Sequence, residues 1–458
     1  MSVSKGPSFD GVDPPDPKLI DACVHCGFCL TTCPSYRVIG KETDSPRGRI
    51  YQMDALNQGQ ITLSAATVSH FDSCLGCLAC VTACPSGVQY DRLIAATRPQ
   101  IERNYPRSLW DRLYRQFIFS VFPYPARLQP LLWPLWLYQK MGIGAWIRKG
   151  LEKVSPRLAA MESLMPPLEM EQLLPKRYPE RIPAVGERRF RVGLILGCVQ
   201  RLFAPQVNEA SIRVLTHNGC EVVIPPVQGC CAALPHHQGQ LRQAETLARQ
   251  MIDAFADYEL DAILINASGC GHTLKEYGHL LARDPDYKEK AVRFAAQVKD
   301  IQEFLAQVGL TAPLQPLQPE PLVLVYQDAC HMLHGQRLSQ EPRHLLRQIP
   351  GLELRDPVDA ALCCGSSGVY NLLQPQVADE LGSQKVTNLL NTGAQGIVSA
   401  NIGCRLQIQK HLRLQGKAGI PVYHPMELLD RALTAPQGFR EQATGTSSGQ
   451  AEVAEAIG

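Results

Sequence analysis

After residue 189 the chain alternates short apolar runs with amphipathic stretches, and it does so twice. The first pass contains Arg191–Cys198 (RVGLILGC), a helical pattern, Glu221–Pro226 (EVVIPP), a longer helical pattern and Ala262–Cys270 (AILINASGC). The second contains Leu322–Cys330 (LVLVYQDAC), a helical pattern, Leu352–Pro357 (LELRDP), another long helical pattern and Gly396–Cys404 (GIVSANIGC). Apolar runs of strand length separated by helix-length segments predict βα alternation, so each pass reads as an α/β unit with a parallel sheet. Two predicted strands in each pass end in cysteine, and the carboxyl ends of parallel strands are where such sheets place ligand sites.

The rest of the chain is patterned differently. Residues 1–100 are expected to form a small helical domain organised by cysteines, and residues 101–188 a Trp/Pro-rich helical connector holding Trp110, Trp133, Trp136 and Trp146. Within the connector, Phe117–Ile147 is apolar and aromatic, but Pro123, Pro125, Pro130, Pro134, Arg127 and Lys140 interrupt it. A transmembrane helix needs about 20 consecutive apolar residues, so this segment is expected either to pack on the other domains or to dock a partner or membrane surface. A Pro-rich stretch, Met165–Pro183, leads into the two α/β units, expected over 189–310 and 320–435. Residues 436–458, rich in Ser, Gly, Ala and Glu, are expected to be a disordered tail.

Charge changes this picture little. Lys and Arg number 45 against 43 Asp and Glu, which gives no electrostatic case for nucleic acid. Cysteine changes it more. Seventeen cysteines in a large chain without an export signal at its start fit a reducing compartment with thiolates free to bind metal.

Eight of these cysteines form two runs of the same form, Cys23-x2-Cys26-x2-Cys29-x3-Cys33-Pro34 and Cys74-x2-Cys77-x2-Cys80-x3-Cys84-Pro85. Three cysteines at intervals of three wrap backbone around a cubane cluster. The fourth, expected to start a helix, ligates the other cluster in two-cluster ferredoxins. The expected sets are Cys23, Cys26, Cys29 and Cys84 for one [4Fe–4S] cluster, and Cys74, Cys77, Cys80 and Cys33 for the other. Zinc knuckles do not place three cysteines in seven residues. Between the runs, Ser45-Pro46-Arg47-Gly48-Arg49-Ile50 reads as a capped helix start, and Arg47 and Arg49 could also stabilise a reduced cluster.

The α/β units carry eight more cysteines at nearly matching intervals. Cys198, Cys230, Cys231 and Cys270 are separated by 31 and 38 residues around the adjacent pair, and Cys330, Cys363, Cys364 and Cys404 by 32 and 39. A further iron–sulfur centre, thiol redox chemistry and structural thiols are the readings open for these, with the second set the better candidate. Cys220 is left over as a buried thiol. His272, His331 and His334 flank these cysteines, and His236 and His237 follow Pro235 at an expected helix start. Histidines so placed could be ligands or proton carriers, but more often donate to a nearby carbonyl.

The two ferredoxin-type runs, the SPRGRI segment and the duplicated cysteine-rich (CCG-type) domain resemble the iron–sulfur subunits of bacterial glycolate oxidase, also called glycolate dehydrogenase. Cys74–Tyr90 (CLGCLACVTACPSGVQY) and Ser268–Tyr277 (SGCGHTLKEY) carry the similarity most strongly. The resemblance implies an electron-transfer subunit with two [4Fe–4S] clusters, and FAD on the partner subunits that oxidise glycolate. It implies a quinone or other membrane acceptor, and a cytoplasmic location at the inner face of the cell membrane. Similar subunits serve anaerobic glycerol-3-phosphate and lactate dehydrogenases, and a heterodisulfide-reductase-like catalytic role is a further alternative. The sequence departs from the CCG pattern at Ala232, where glycine is usual, and in lacking the last cysteine of each closing C-x2-C.

Overall fold

A computed structural model describes residues 8–142 and 144–433, so the expected tail at 436–458 lies outside the described residues. The amino-terminal region is helical. Its longer helices, Pro46–Asn57, Ala65–Asp72 and Tyr90–Asn104, close around Ile50, Met53, Leu56, Phe71 and Leu93. The helix at Pro46 begins as its sequence suggests: the Ser45 hydroxyl accepts from the Gly48 amide at 3.0 Å, and Pro46 occupies the first helical position.

The connector forms the helices Leu109–Val121, Leu132–Lys140, Gly144–Val154 and Pro156–Leu164. Part of it is packed: Ile118 and Phe119 meet Leu372 and Leu373 of the second α/β unit, and Leu128 and Leu132 meet Leu202 and Phe203 of the first. Trp110 and Trp133 remain exposed. Among the described residues no helix is long and apolar enough to cross a membrane.

Among the described residues nine strands follow: β1 (Arg181–Ile182), β2 (Phe190–Ile195), β3 (Cys220–Val223), β4 (Ala262–Ile265), β5 (Val298–Asp300), β6 (Leu322–Gln327), β7 (Leu352–Arg355), β8 (Gly396–Ser399) and β9 (Val422–Tyr423). They form two sheets, β1-β3-β2-β4-β5 and β7-β6-β8-β9. The strands the repeat predicts all run parallel, and β2 and β6 hold equivalent places: Val192 pairs with Val222 and Ala262, and Leu324 with Leu354 and Gly396. The strand β1 is the exception to the expected parallel sheet. It comes from the Pro-rich stretch and pairs antiparallel with β3 at the edge. Pro183 ends it after two residues, because proline has no amide to extend the ladder.

The two units share one core. Val192, Leu194 and Leu264 of the first sheet belong to the same buried cluster as Leu324, Tyr326 and Val398 of the second. Arg213 and Asp430 pair across the seam through two contacts of 2.8 and 2.7 Å. Strand ends from both units therefore reach a common interior space, and the cysteines stand around it.

Candidate iron–sulfur centres

The two amino-terminal cysteine loops have the same backbone form. Left-handed residues recur two positions after the first cysteine and one after the second: His25 (φ 53°) and Gly27 (φ 88°) in one loop, Gly76 (φ 63°) and Leu78 (φ 64°) in the other. A histidine and a leucine in this region are held against a steric cost, which marks the loop shape as constrained by its surroundings. The loops differ in depth. Cys26 is exposed and Cys23 and Cys29 half-buried, whereas Cys74, Cys77 and Cys80 are buried. Cys33 caps the helix Pro34–Ile39, as expected of a fourth cysteine. Cys84 does not start a helix. The chain turns after it, through Pro85 and Ser86, before the helix at Tyr90.

Thiol electrostatics shows which cysteines are neighbours. Burial raises the Cys23 thiol above its ordinary value, and the proximity of Cys84 and Cys26 adds to the rise. Burial likewise raises Cys77 and Cys80, with Cys33 and Cys74 near both. The fourth cysteine of each run thus lies within electrostatic reach of the other run's loop, and Cys33 also within reach of Cys29 in its own. Thiols raised in this way become ligands when a cluster's irons supply the compensating charge, and the all-cysteine donor set and paired loops fit iron–sulfur clusters. Among the described residues no three His, Cys, Asp or Glu side chains converge as a single-ion site requires. A cluster spreads its ligands over separate irons, so single-ion convergence is not its signature.

Cys74 behaves differently. Burial would raise it, but Arg49 and Arg98, together with hydrogen bonds from Tyr90 and Gly76, more than offset this and hold the thiol below its ordinary value. The Tyr90 hydroxyl at 3.6 Å and the Gly76 amide at 3.4 Å also donate to its Sγ. Arg49 is fully buried, donating to the His70 carbonyl at 2.6 Å and to the hydroxyls of Ser35 and Ser73 at 2.9 and 2.8 Å. Arg47 is more exposed and braces the first loop through the His25 carbonyl at 2.7 Å. The segment therefore supplies both a helix cap and cationic groups beside the cysteines. The sequence offered no signal for Arg98 and Tyr90, which reach Cys74 from a helix that starts 16 residues downstream.

In each α/β unit the four cysteines are brought together. The Sγ atoms of Cys198 and Cys230 lie 3.4 Å apart, and Cys231 contacts both Cys230 and Cys270. In the second unit Cys364 and Cys404 are 3.1 Å apart, and Cys363 contacts both Cys330 and Cys364. Contacts with neighbouring thiols lower Cys231 and Cys363 well below the ordinary value. A cavity of about 120 Å³ lies between the units, and six of these cysteines line it. The Ser268 hydroxyl, also on its wall, is buried without a hydrogen-bond partner. Cys220 stands apart, buried in β3, and burial pushes its thiol up to about 12.

Four segments of the chain match three described families. Residues 19–88 match a 4Fe–4S dicluster domain, residues 192–275 and 324–409 a cysteine-rich domain, and residues 110–165 the linker region of glycolate oxidase iron–sulfur subunits. The probable glycolate oxidase iron–sulfur subunit of Bacillus subtilis is 37% identical over 89% of this chain and 92% of its own length. The glycolate oxidase iron–sulfur subunit of Escherichia coli is 35% identical over 91% of this chain and 94% of its own. This chain belongs to the glycolate oxidase iron–sulfur subunit family. Lactate utilization protein A of Geobacillus thermodenitrificans is 29% identical over 52% of this chain and 98% of its own length.

Membership of the glycolate oxidase iron–sulfur subunit family carries an electron-transfer role for iron–sulfur centres within a multi-subunit oxidoreductase. In this family member the second cysteine loop and the second cysteine-rich unit are adjacent. Cys363 stands near enough to Cys77 to raise its thiol further, and Leu75, Cys77 and Cys363 share a buried cluster. His331 Nε2 is 2.9 Å from the Gly76 carbonyl, the carbonyl-bound state commonest for such a residue. His334 instead meets the Thr82 hydroxyl at 2.7 Å. His236 and His237 end a short helix, Ala233–His236, where the sequence suggested a helix start. The reason is that Ala232, in the left-handed region, opens the helix one residue before the sequence's Leu234-Pro235.

Proposed function

We propose that this chain is the electron-relay subunit of a glycolate-oxidising dehydrogenase, taking electrons from the reduced FAD of partner subunits and delivering them to a quinone or another respiratory acceptor. The reading assigns Cys23, Cys26, Cys29 and Cys84 to one [4Fe–4S] cluster and Cys74, Cys77, Cys80 and Cys33 to a second. Cys330, Cys363, Cys364 and Cys404 are assigned as a further iron–sulfur or redox site, with Cys198, Cys230, Cys231 and Cys270 its weaker counterpart. When bound, the clusters supply one-electron exchange. The chain's own residues hold the thiolates, exclude water from the second loop and place positive charge beside Cys74 through Arg49 and Arg98.

The observation that carries this reading is the adjacency of Cys77 to Cys363, which lines up the cysteine loops with the interior cysteine site. Exposed Trp110 and Trp133 on the connector support a peripheral position at the cytoplasmic face of the membrane. The likeness to a lactate utilization protein supports lactate as the second substrate to examine.

The test uses purified, cluster-loaded chain with and without flavoprotein. Glycolate is expected to reduce the iron–sulfur signals only when flavoprotein is present. Cys29→Ser is expected to lose one cubane signal and acceptor reduction, while glycolate still reduces the partner's flavin. Full acceptor activity in Cys29→Ser would refute the relay.

A further inference from the structure

The connector encloses a second cavity that the cysteine chemistry does not use. Its volume is about 790 Å³, within the range of small-molecule sites. Its walls are mostly apolar, including Phe122, Leu135 and Met161. Phe122 also lines the cysteine cavity between the α/β units, so the two spaces share this wall residue. Phe117, Leu131 and Leu158 line this second cavity and are still 43%, 37% and 39% exposed, which makes them its rim. The surface around that rim is apolar as well, with Leu137 and Met141 exposed.

One part of the wall is polar. The Tyr138 hydroxyl donates to Glu162 at 3.0 Å, and Arg148 donates to the same carboxylate at 2.5 Å. The Arg148 charge is therefore already neutralised. A fatty acid here would set its carboxylate against Glu162, and two like charges in a low-dielectric wall disfavour each other. A neutral head with carbonyl acceptors avoids that conflict at the guanidinium, whereas the single O–H of Tyr138 is already given to Glu162.

We propose that this cavity binds an isoprenoid quinone, with the tail among Phe117, Leu131 and Leu158, the ring towards Tyr138 and Arg148, and Phe122 between the ring and the cysteine cavity. The proposal rests on the relay reading, in that a quinone is there the acceptor. Binding, however, is measured without flavoprotein or glycolate, so either can fail alone.

The experiment titrates full-length, cluster-loaded chain with a quinone carrying two isoprenoid units, followed by calorimetry, and photolabels it with the corresponding azidoquinone. One saturable site is expected, with label on residues 117–165 that unlabelled quinone competes away. Leu131→Glu and Leu158→Glu, both on the rim, are each expected to weaken binding at least tenfold with unchanged cluster absorbance. Val185→Glu, the same change at a distant exposed position, is expected to leave it within twofold. Absence of saturable binding, affinity indifferent to both rim variants, label outside the connector, or equal displacement by palmitate would overturn the proposal.

Discussion

Arg49 has 1% of its surface exposed, and a buried guanidinium is costly unless its N–H groups find acceptors. Three acceptors are met, and Asp44 lies at 3.8 Å. Its charge therefore stands permanently beside Cys74 and Cys33. Removing a unit charge at about 7 Å with an effective dielectric near 20 changes a one-electron couple by roughly 2 kcal/mol, on the order of 100 mV. Arg49→Gln is expected to lower one cluster's midpoint potential by that order in a titration followed by electron paramagnetic resonance. Arg47→Gln, at a half-buried position paired with Glu42, is expected to move the other cluster much less. Equal small shifts in both variants would remove the electrostatic role. His424 joins the two α/β units: its Nε2 donates to the Asn266 carbonyl at 2.8 Å, and its Nδ1 accepts from the Met426 amide at 3.1 Å. Burial, aided by Arg405, lowers it to about 3. The unfolded histidine takes up its proton near pH 6.5, so between pH 6.5 and 3 only the unfolded chain carries it. Stability from this residue is complete above pH 6.5 and falls by about 1.4 kcal/mol per pH unit below it. Urea unfolding of wild type and His424→Gln at pH 7.5, 6 and 5 is expected to show a shallower pH slope in the variant, by one proton.

At the scale of elements, the turns that carry the paired cysteines differ between the repeats. The residue after each pair is left-handed, Ala232 at φ 66° and Gly365 at φ 85°. At Gly365 a Cβ would also meet the Ala378 carbonyl oxygen at 2.4 Å, backbone that cannot step aside cheaply. Gly365→Ala is therefore expected to destabilise the chain by about 2 kcal/mol or more, combining left-handed strain with that clash. Ala232→Gly should gain up to about 1 kcal/mol, because the strain it relieves exceeds the entropy glycine adds to the unfolded chain. Thermal unfolding of the two variants checks both signs, and a neutral Gly365→Ala would show that the turn has room to move. The departure at Ala232 was visible in the sequence, and so was the repeat itself, because strand runs and cysteine intervals are local signals. The edge strand β1 was not visible, since two residues have no periodicity. The turn after Cys84 was hidden by a Cys-Pro pair that at Cys33 does begin a helix. The cavity rim at Leu131 and Leu158 was legible only as an interrupted apolar segment, with no indication that it encloses space.

Across the whole molecule, the amino-terminal domain meets the two repeats in different ways. The second repeat grips the cysteine loop: Tyr370 donates to the Ser73 carbonyl at 3.0 Å, Ser367 to that of Leu75, and His331 meets that of Gly76. The first repeat grips the helix Tyr90–Asn104 instead, through Arg92 and Glu276 at 2.6 Å and through Gln240 and Glu102 at 2.9 Å. These contacts join residues as much as 297 positions apart, so no local pattern announces them. Their consequence is that two repeats with equivalent cysteines are not equivalent towards the second loop, because Cys363 shares a buried cluster with Cys77 and Cys330 packs against it, both from the second repeat. Cys363→Ser is therefore expected to alter the resonance line shape and potential of the cluster assigned to Cys74, Cys77, Cys80 and Cys33. Cys230→Ser, the corresponding change in the first repeat, is expected to leave both as in wild type. Iron content of the two variants separates loss of a metal centre from a change in its neighbour. Indistinguishable spectra for Cys363→Ser and Cys230→Ser would mean that the repeats act alike and that the contact between Cys77 and Cys363 is packing without electronic consequence.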